Sequence, residues 1–223
     1  MPEQPSLRER KKAETRRTIA EVALRLFLER GFDAVTVADV AAAAAVSTKT
    51  VFNYFPTKED LVLTDGDSLD AGLIQQIQQR APNESVLDAV HTYTLALCQR
   101  MRSVPAERRQ AFRTVLQNAP SVQAHWRERQ RRHEAQLASV LATESRATPD
   151  DARPFVVAGV LSLLSRLAYY DVIGWPDGKR RSAAKTEEAI ANAFALLGAG
   201  LSNYPGVSSR GTANKGKTSG SMK

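Results

Sequence analysis

Apolar residues recur at helical spacing along almost the whole chain, and this periodicity constrains the fold more than any other feature. Ile19, Val22, Ala23, Leu26 and Phe27 form one stripe at positions i, i+3, i+4, i+7 and i+8, the pattern of a helix with one buried face. Sustained alternation of apolar and polar residues is absent, as are tight hairpin turns between strand-like segments. The sequence therefore predicts an all-α protein.

Helix starts are marked by a threonine three residues before an aspartate. A hydroxyl at the N-cap can accept a hydrogen bond from an unpaired backbone N–H, and the carboxylate suits the positive end of the helix. The motif occurs at Thr36/Asp39, Thr57/Asp60 and Thr148/Asp151. Together with the periodicity it predicts nine helices, over 8–30, 37–44, 48–54, 58–80, 83–102, 106–117, 120–145, 149–173 and 184–202.

The positive charge of the chain lies at its two ends. The 223 residues carry a formal net charge of +7, of which +3 falls in residues 1–20 and +4 in residues 204–223. The neutral body argues against DNA binding through bulk charge, so specific contacts have to position any nucleic acid. Residues 1–11 are predicted to be a flexible basic arm, and 204–223 a disordered basic tail that adds nonspecific, salt-sensitive attraction.

The cysteine count and the lengths of the apolar segments exclude further classes of protein. The single cysteine, Cys98, excludes an internal disulfide and any zinc site with several cysteines. The N-terminus lacks the apolar core of a signal peptide, and no apolar run approaches the roughly 20 residues that a membrane span needs. We therefore expect a cytoplasmic protein with no membrane partner.

Residues 36–55 have the spacing of a helix–turn–helix. Such a motif needs a small residue in its first helix, a tight turn four residues later, and an apolar residue six positions further on. Ala41, Ala45 and Val51 fit this spacing. The second helix, 48–54, then presents hydroxyl, amide and cationic side chains, which suit phosphates and base edges.

The same segment closely resembles the TetR (tetracycline-repressor) family over about residues 12–62. The resemblance rests on three stretches, Thr36-Val37-Ala38-Asp39-Val40-Ala41, Ala44-Ala45-Val46-Ser47 and Thr50-Val51-Phe52-Asn53-Tyr54-Phe55-Pro56-Thr57-Lys58-Glu59-Asp60-Leu61. It implies a homodimer that binds a palindromic operator, with a DNA-binding domain over 12–57 and a helical ligand-binding and dimerisation domain over 58–203. Two positions depart from the family: Ala45 stands where glycine is usual, and Phe52 replaces a common tyrosine.

The resemblance also implies the DNA-contacting residues. Thr36, Tyr54 and Lys58 would contact phosphates, Thr48, Lys49 and Thr50 would face the major groove, and Arg16 and Arg17 would add backbone contacts. The full predicted set is Arg16, Arg17, Thr36, Ser47, Thr48, Lys49, Thr50, Phe52, Asn53, Tyr54 and Lys58.

The last two predicted helices are apolar on more than one face, so each has to bury two sides. TetR-like proteins commonly pair their last two long helices as a four-helix bundle. The predicted dimer interface is Val160, Leu164, Leu167, Ile190, Phe194, Leu197 and Leu201. An entirely intrachain core is the alternative.

Residues 99–132 are rich in arginine, with nine arginines against two glutamates. They are consistent with binding an anionic effector or partner, because guanidinium groups match carboxylates and phosphates, or with a solvated face. Aromatic and sulfur-containing residues nearby are candidates for a ligand pocket or for ordinary core. The pocket candidates are Cys98, Met101, Phe112, His125, Trp126, Tyr169, Tyr170 and Trp175.

Catalytic signatures are absent from the sequence. The three histidines lack metal-ligand spacing, Asp65-Gly66-Asp67 lacks the later ligands of a calcium loop, and no nucleophile elbow, phosphate loop or dinucleotide fingerprint occurs. We expect no enzyme activity, metal or cofactor. Two functions stay open: a ligand-responsive transcriptional repressor, and an effector-independent DNA-binding protein whose C-terminal domain is a protein-interaction module.

Overall fold

The computed structural model describes residues 6–64 and 66–200, and within them every regular element is helical. The helices are α1 (Leu7–Arg30), α2 (Val37–Ala43), α3 (Thr48–Tyr54), α4 (Gly66–Gln78), α5 (Val86–Ser103), α6 (Ala106–Asn118), α7 (Pro120–Ser145), α8 (Arg153–Ile173) and α9 (Ala183–Gly200). The all-α prediction is confirmed. The predicted disordered tail, and Leu201 of the predicted dimer interface, lie outside the described residues.

The first helix begins within the segment predicted to be a flexible arm. Ser6 closes a reciprocal capping box with Glu9: its hydroxyl accepts from the Glu9 N–H at 3.3 Å, and its own N–H donates to the Glu9 carboxylate at 2.7 Å. Such a cap satisfies two backbone N–H donors at once and fixes the residue at which the helix begins. Residues 7–11 are therefore helical, and the predicted arm is wrong over this stretch.

The predicted helix over 58–80 is interrupted. A short 3-10 turn spans Glu59–Leu61, and α4 begins only at Gly66. Leu61, Val62 and Leu63 are all buried. Three consecutive buried side chains cannot share one face of a surface helix, so the chain turns here instead.

One predicted cap also fails at the start of α8. The sequence places a helix start at 149, with Thr148 as its cap, but α8 begins at Arg153. The Asp151 carboxylate accepts from the backbone N–H and the guanidinium of Arg153 rather than closing a box with Thr148. These bonds hold the pKa of Asp151 below its usual value.

Two hydrophobic clusters organise the helices. One cluster packs α1, α2 and α3 with the 61–63 segment and continues into α6 and the start of α7. The other is built from α4, α5, α7, α8 and α9, with Leu137, Leu161 and Ile77 fully buried at its centre. Because the first cluster includes α6 and α7, the helix–turn–helix rests directly on the C-terminal helices.

Helix α8 is a long, strongly apolar helix. It is long and apolar enough to cross a membrane by length and composition, and 44% of its most apolar window is buried. The sequence prediction that no segment reaches this length is therefore wrong for α8. Its exposed part includes Val156 (58%), Leu163 (41%) and Leu167 (53%).

The turn between α2 and α3 is strained at Ala45, and we expect Ala45→Gly to stabilise the protein. Ala45 has φ +54°, a left-handed conformation that costs a non-glycine residue about 1 kcal/mol. Relief of that strain should raise Tm by about 2–4 °C in thermal unfolding. Ala42→Gly, at an exposed position in α2, is the control and should destabilise by about 1 kcal/mol. An unchanged or lower Tm for Ala45→Gly would show that the turn is not strained.

Candidate DNA-binding face and internal cavity

Helix α3 is fixed by its cap and by two buried anchors. The Ser47 hydroxyl accepts from the Thr50 N–H at 3.0 Å, which satisfies a first-turn donor. Val51 and the following Phe55 are each 1% exposed and hold the helix on α1 and α2. The opposite side exposes Thr48, Lys49, Phe52 and Asn53, which together with the half-buried Thr50 and Tyr54 form what we call the recognition face.

Three predicted contact residues, Thr36, Ser47 and Thr50, have hydroxyls that already take part in caps. The Thr50 and Ser47 hydroxyls lie 2.8 Å apart at the start of α3. At the start of α2, the Thr36 hydroxyl donates to the Asp39 carboxylate at 2.5 Å and accepts from the Asp39 N–H at 3.1 Å. The side-chain and backbone bonds from Thr36 hold the pKa of Asp39 below its usual value. These hydroxyls belong to exposed or half-buried residues. Their hydrogen bonds within the caps fix the position from which each hydroxyl could contact DNA.

Arg16, a predicted contact to the DNA backbone, makes hydrogen bonds within the chain, and its contact with DNA stays a prediction. Its guanidinium donates to the Tyr54 carbonyl at 2.6 Å and to the Thr64 carbonyl, and it stacks 4.4 Å from the centre of the Phe55 ring. Arg16 therefore ties α1 to both ends of the 54–64 segment. Its neighbour Arg17 keeps a side chain that is 66% exposed, within 3.9 Å of Glu21, and stays a predicted DNA contact.

Lys58 lies just beyond the recognition helix and is half-buried. Its ammonium sits 4.3 Å from the centre of the Phe32 ring and 5.9 Å from that of Phe27. A cation over an aromatic ring is held in place by the charge distribution of the ring. Lys58 is thus positioned by packing and remains a predicted phosphate contact.

Helix α7 is joined to the 57–64 segment by two polar contacts. The His125 imidazole lies 2.9 Å from the Asp60 carboxylate, and Arg129 donates to the Leu63 carbonyl at 3.1 Å. Burial raises the pKa of Asp60, but the hydrogen bonds from Thr57 and His125 outweigh it and leave the pKa below its usual value. These contacts connect the helix–turn–helix domain to the C-terminal helices.

A cavity of about 220 Å³ lies between the two domains. Its walls come from α1, from residues 61–64 and from α4 to α8. Leu24 of α1 and Leu61 therefore face the same space as Tyr93 and Ser162 of the C-terminal helices. Anything that fills this cavity touches both domains at once.

The structure places half of the predicted pocket residues on the cavity. Met101, Phe112, Trp126 and Tyr169 line it. The other candidates, Cys98, His125, Tyr170 and Trp175, are absent from its lining within the described residues.

Each of those four residues has another environment. The rings of Tyr170 and Trp175 pack edge-on against the Trp126 ring, at distances of 5.3 and 6.2 Å between ring centroids. His125 contacts Asp60. Cys98 is buried, and burial raises the pKa of its thiol to about 11, so it stays protonated.

Sequence reasoning missed the polar lining of the cavity. Among the described residues, the charged lining comprises Arg108, Arg109, Arg129, Glu134 and Arg166. Three of these arginines belong to the arginine-rich stretch 99–132, whereas Arg100, Arg127, Arg131 and Arg132 are exposed. The two interpretations of that stretch therefore apply to different arginines: some form a solvated face and some face the cavity.

The predicted dimer interface needs correction at two positions. Ile190 and Phe194 are each 6% exposed and pack inside the chain's own core, where Phe194 contacts the His91 ring at 4.8 Å. Helix α9 turns them inward against α5 and α8, so a second subunit cannot reach most of their surface. Val160, Leu164 and Leu197 are half-buried and Leu167 is exposed.

The seven-residue helix α3 follows a tight four-residue turn, is capped and anchored, and presents polar side chains outward. These features together define a helix–turn–helix DNA-binding protein. The model for bacterial regulatory proteins of the tetR family matches residues 19–64. The regulator TcmR of Streptomyces glaucescens is 29% identical over 172 residues, covering 74% of this chain and 76% of TcmR. The regulator LuxR of Vibrio harveyi is 54% identical over 44 residues, which is 20% of this chain and 22% of LuxR.

A solved structure has a similar fold. NalD of Pseudomonas aeruginosa, described as the secondary repressor of the MexAB-OprM multidrug efflux pump, superimposes with a TM-score of 0.52 at 16% identity, covering 84% of this chain and 96% of NalD. Residues 19–64 therefore match the DNA-binding domain of the tetR family of bacterial regulatory proteins. The protein is a DNA-binding transcriptional regulator and not an enzyme.

Proposed function

We propose that this regulator is a homodimeric repressor that binds a palindromic operator and releases it when a small molecule enters the cavity. The observation that carries the proposal is the shared wall of the cavity, in which Leu24 of the DNA-binding domain and residues 61–64, just after it, meet α5, α7 and α8. An occupant would shift contacts in both domains, which is the differential interaction that a ligand-driven change requires.

The recognition face supports the DNA-binding part of the proposal. Its exposed hydroxyl, amide, cationic and aromatic groups can reach a major groove, and the exposed Arg17 can add a phosphate contact. Because the neutral body of the chain provides little bulk attraction, these few side chains have to provide most of the specificity. The protein is proposed to act in the bacterial cytoplasm, where its DNA is found.

We expect Lys49→Ala and Tyr54→Phe to weaken operator binding by at least about tenfold each, because each removes one DNA contact per subunit. Neither should change Tm by more than about 1 °C, since Lys49 is exposed and phenylalanine keeps the packing of the Tyr54 ring. The probe is the genomic DNA fragment that the purified protein selects, and the measurement is gel retardation.

Lys185→Ala, in α9, removes an exposed charge far from α3 and serves as the control. Retention of parental affinity by both test variants would refute the contact assignment. The genes beside the selected fragments would also suggest the effector and the regulated process.

The exposed apolar residues of α8 support a homodimer. Val156, Val160, Leu163 and Leu167 lie at positions i, i+4, i+7 and i+11 and form one stripe along the helix, which we call the α8 stripe. A contiguous exposed apolar stripe of this kind marks an interaction surface. A second copy would bring two recognition faces together, as a palindromic operator requires.

A further inference from the structure

The Ser162 hydroxyl and the Arg109 Nε are buried beside the cavity and lack hydrogen-bond partners within the described part of the chain. Ser162 is 8% exposed, and both residues line the same cavity. Buried polar groups in folded proteins are nearly always hydrogen-bonded, so an unpaired donor costs free energy until something pairs with it. Two such atoms in one cavity indicate a place for a ligand with acceptor groups.

Arg109 is held in an orientation suited to an anion. Its Nη1 donates to the carbonyls of Met101 at 3.1 Å, Arg102 at 2.8 Å and Val104, which end α5. In a guanidinium the Nε and Nη2 hydrogens share the edge on the other side. That edge is the one that binds a carboxylate through two parallel hydrogen bonds.

The electrostatic environment of Arg109 also favours an anion. Burial, with Arg180 and Arg102 nearby, lowers the pKa of Arg109, which means that its charged form is destabilised where it stands. Its neighbour in the cavity wall, Arg166, is already paired with Glu134 at 3.1 Å. A negative group beside Arg109 would compensate a desolvated charge.

The rest of the lining is apolar and aromatic. Tyr93, Phe112, Trp126 and Tyr169 surround the space, together with aliphatic side chains such as Leu97. Such walls bind flat or bulky apolar bodies, while the few polar groups set the orientation.

We propose that the effector is an aromatic or similarly apolar molecule with one acidic group, bound by the Nε–Nη2 edge of Arg109 and by the Ser162 hydroxyl. This inference rests on the proposed effector response and names its chemistry. The acidic group is anchored on α6 and α8, and the apolar body lies toward Trp126 and Leu24.

The test compares two probes that differ by one acidic group, 8-anilinonaphthalene-1-sulfonate and N-phenyl-1-naphthylamine. We expect the sulfonate to quench Trp126 fluorescence at one molecule per chain and to bind at least about tenfold more tightly than the amine. Arg109→Lys keeps the charge without the two-hydrogen edge and should weaken sulfonate binding about tenfold. It should leave amine binding unchanged.

Ser162→Ala is the cleanest variant, because the hydroxyl makes no bond that its removal could break. It should weaken sulfonate binding about threefold without lowering Tm. Ser165→Ala, which breaks the buried 2.9 Å bond to Thr94, should lower Tm instead. Arg100→Lys, at an exposed position in α5, should change neither measurement.

Equal affinity for the two probes, with no loss in either variant, would overturn the inference. If the uncharged amine then still released operator DNA, the proposed effector response would stand with a different ligand class. Absence of Trp126 quenching by both probes would contradict the inference and the effector response together. The Lys49 and Tyr54 variants test DNA binding independently of either result.

Discussion

Leu167→Glu should convert the protein from a dimer to a monomer at micromolar concentration. Leu167 is 53% exposed on a helix whose neighbouring apolar residues Leu163 and Val156 are 41% and 58% exposed. A carboxylate placed in an interface between two copies of this stripe would be desolvated without a partner, which costs several kcal/mol. Sedimentation equilibrium of the parent and the variant measures the change in mass.

Operator affinity should fall with the dimer. Two linked recognition faces bind a palindrome about 100- to 10,000-fold more tightly than one, because the second contact is made at high effective concentration. Leu28→Glu is the matched control, since Leu28 is 44% exposed on α1 and lies outside the α8 stripe. It should leave the mass unchanged.

A Leu167→Glu protein that remained dimeric would show that Leu167 is not buried at the centre of the interface. Leu163→Glu, one turn earlier on the same stripe, would then distinguish two explanations. A monomeric Leu163→Glu protein would place Leu167 at the edge of an interface on the α8 stripe, and a dimeric one would place the interface on another face. A variant that was monomeric yet bound the operator like the parent would refute the palindromic, two-subunit mode of binding.

Local signals in the sequence were sufficient for most of the helices. The predicted bounds of α3 and α7 agree with the structure to the residue, because a cap or a first-turn proline marks each start and the periodicity stops at each end. The single helix predicted over 58–80 does not place the break between Leu61 and Gly66. The break depends on α1 and α7, which are distant in sequence and pack against this segment, and no local pattern indicates those neighbours.

The recognition face and the cavity also differ in how far the sequence predicts them. The recognition face depends on the spacing of residues within a segment of about 20 residues, so the helix–turn–helix motif alone is enough to predict it. The cavity is built where helices distant in sequence converge, and Ser162 carries no sequence signal that separates it from other helical serines. Ile190 and Phe194 were predicted outward because an apolar helix with two apolar sides does not indicate which side meets its own domain.

Arg16→Met should lower the stability of the DNA-binding domain by about 2–4 kcal/mol. It removes two hydrogen bonds from a charged group to the carbonyls of Tyr54 and Thr64. Such bonds contribute about 1.5–3 kcal/mol each when buried, and less here because solvent reaches this half-buried site. The stacking on Phe55 is lost as well, although the methionine side chain refills part of the volume. We expect Tm to fall by about 5–10 °C.

Arg17→Met separates this structural role from DNA contact, because Arg17 is the adjacent residue with the same charge. Its side chain is 66% exposed and its ion pair with Glu21 is long at 3.9 Å, so Tm should change by no more than about 1 °C. Operator affinity should fall several-fold, with a shallower dependence on salt, because one phosphate contact per subunit is lost. If Arg16→Met left Tm unchanged while reducing the salt dependence as Arg17→Met does, Arg16 would be a DNA contact as the sequence predicts, and the bonds to the Tyr54 and Thr64 carbonyls would contribute little to the fold.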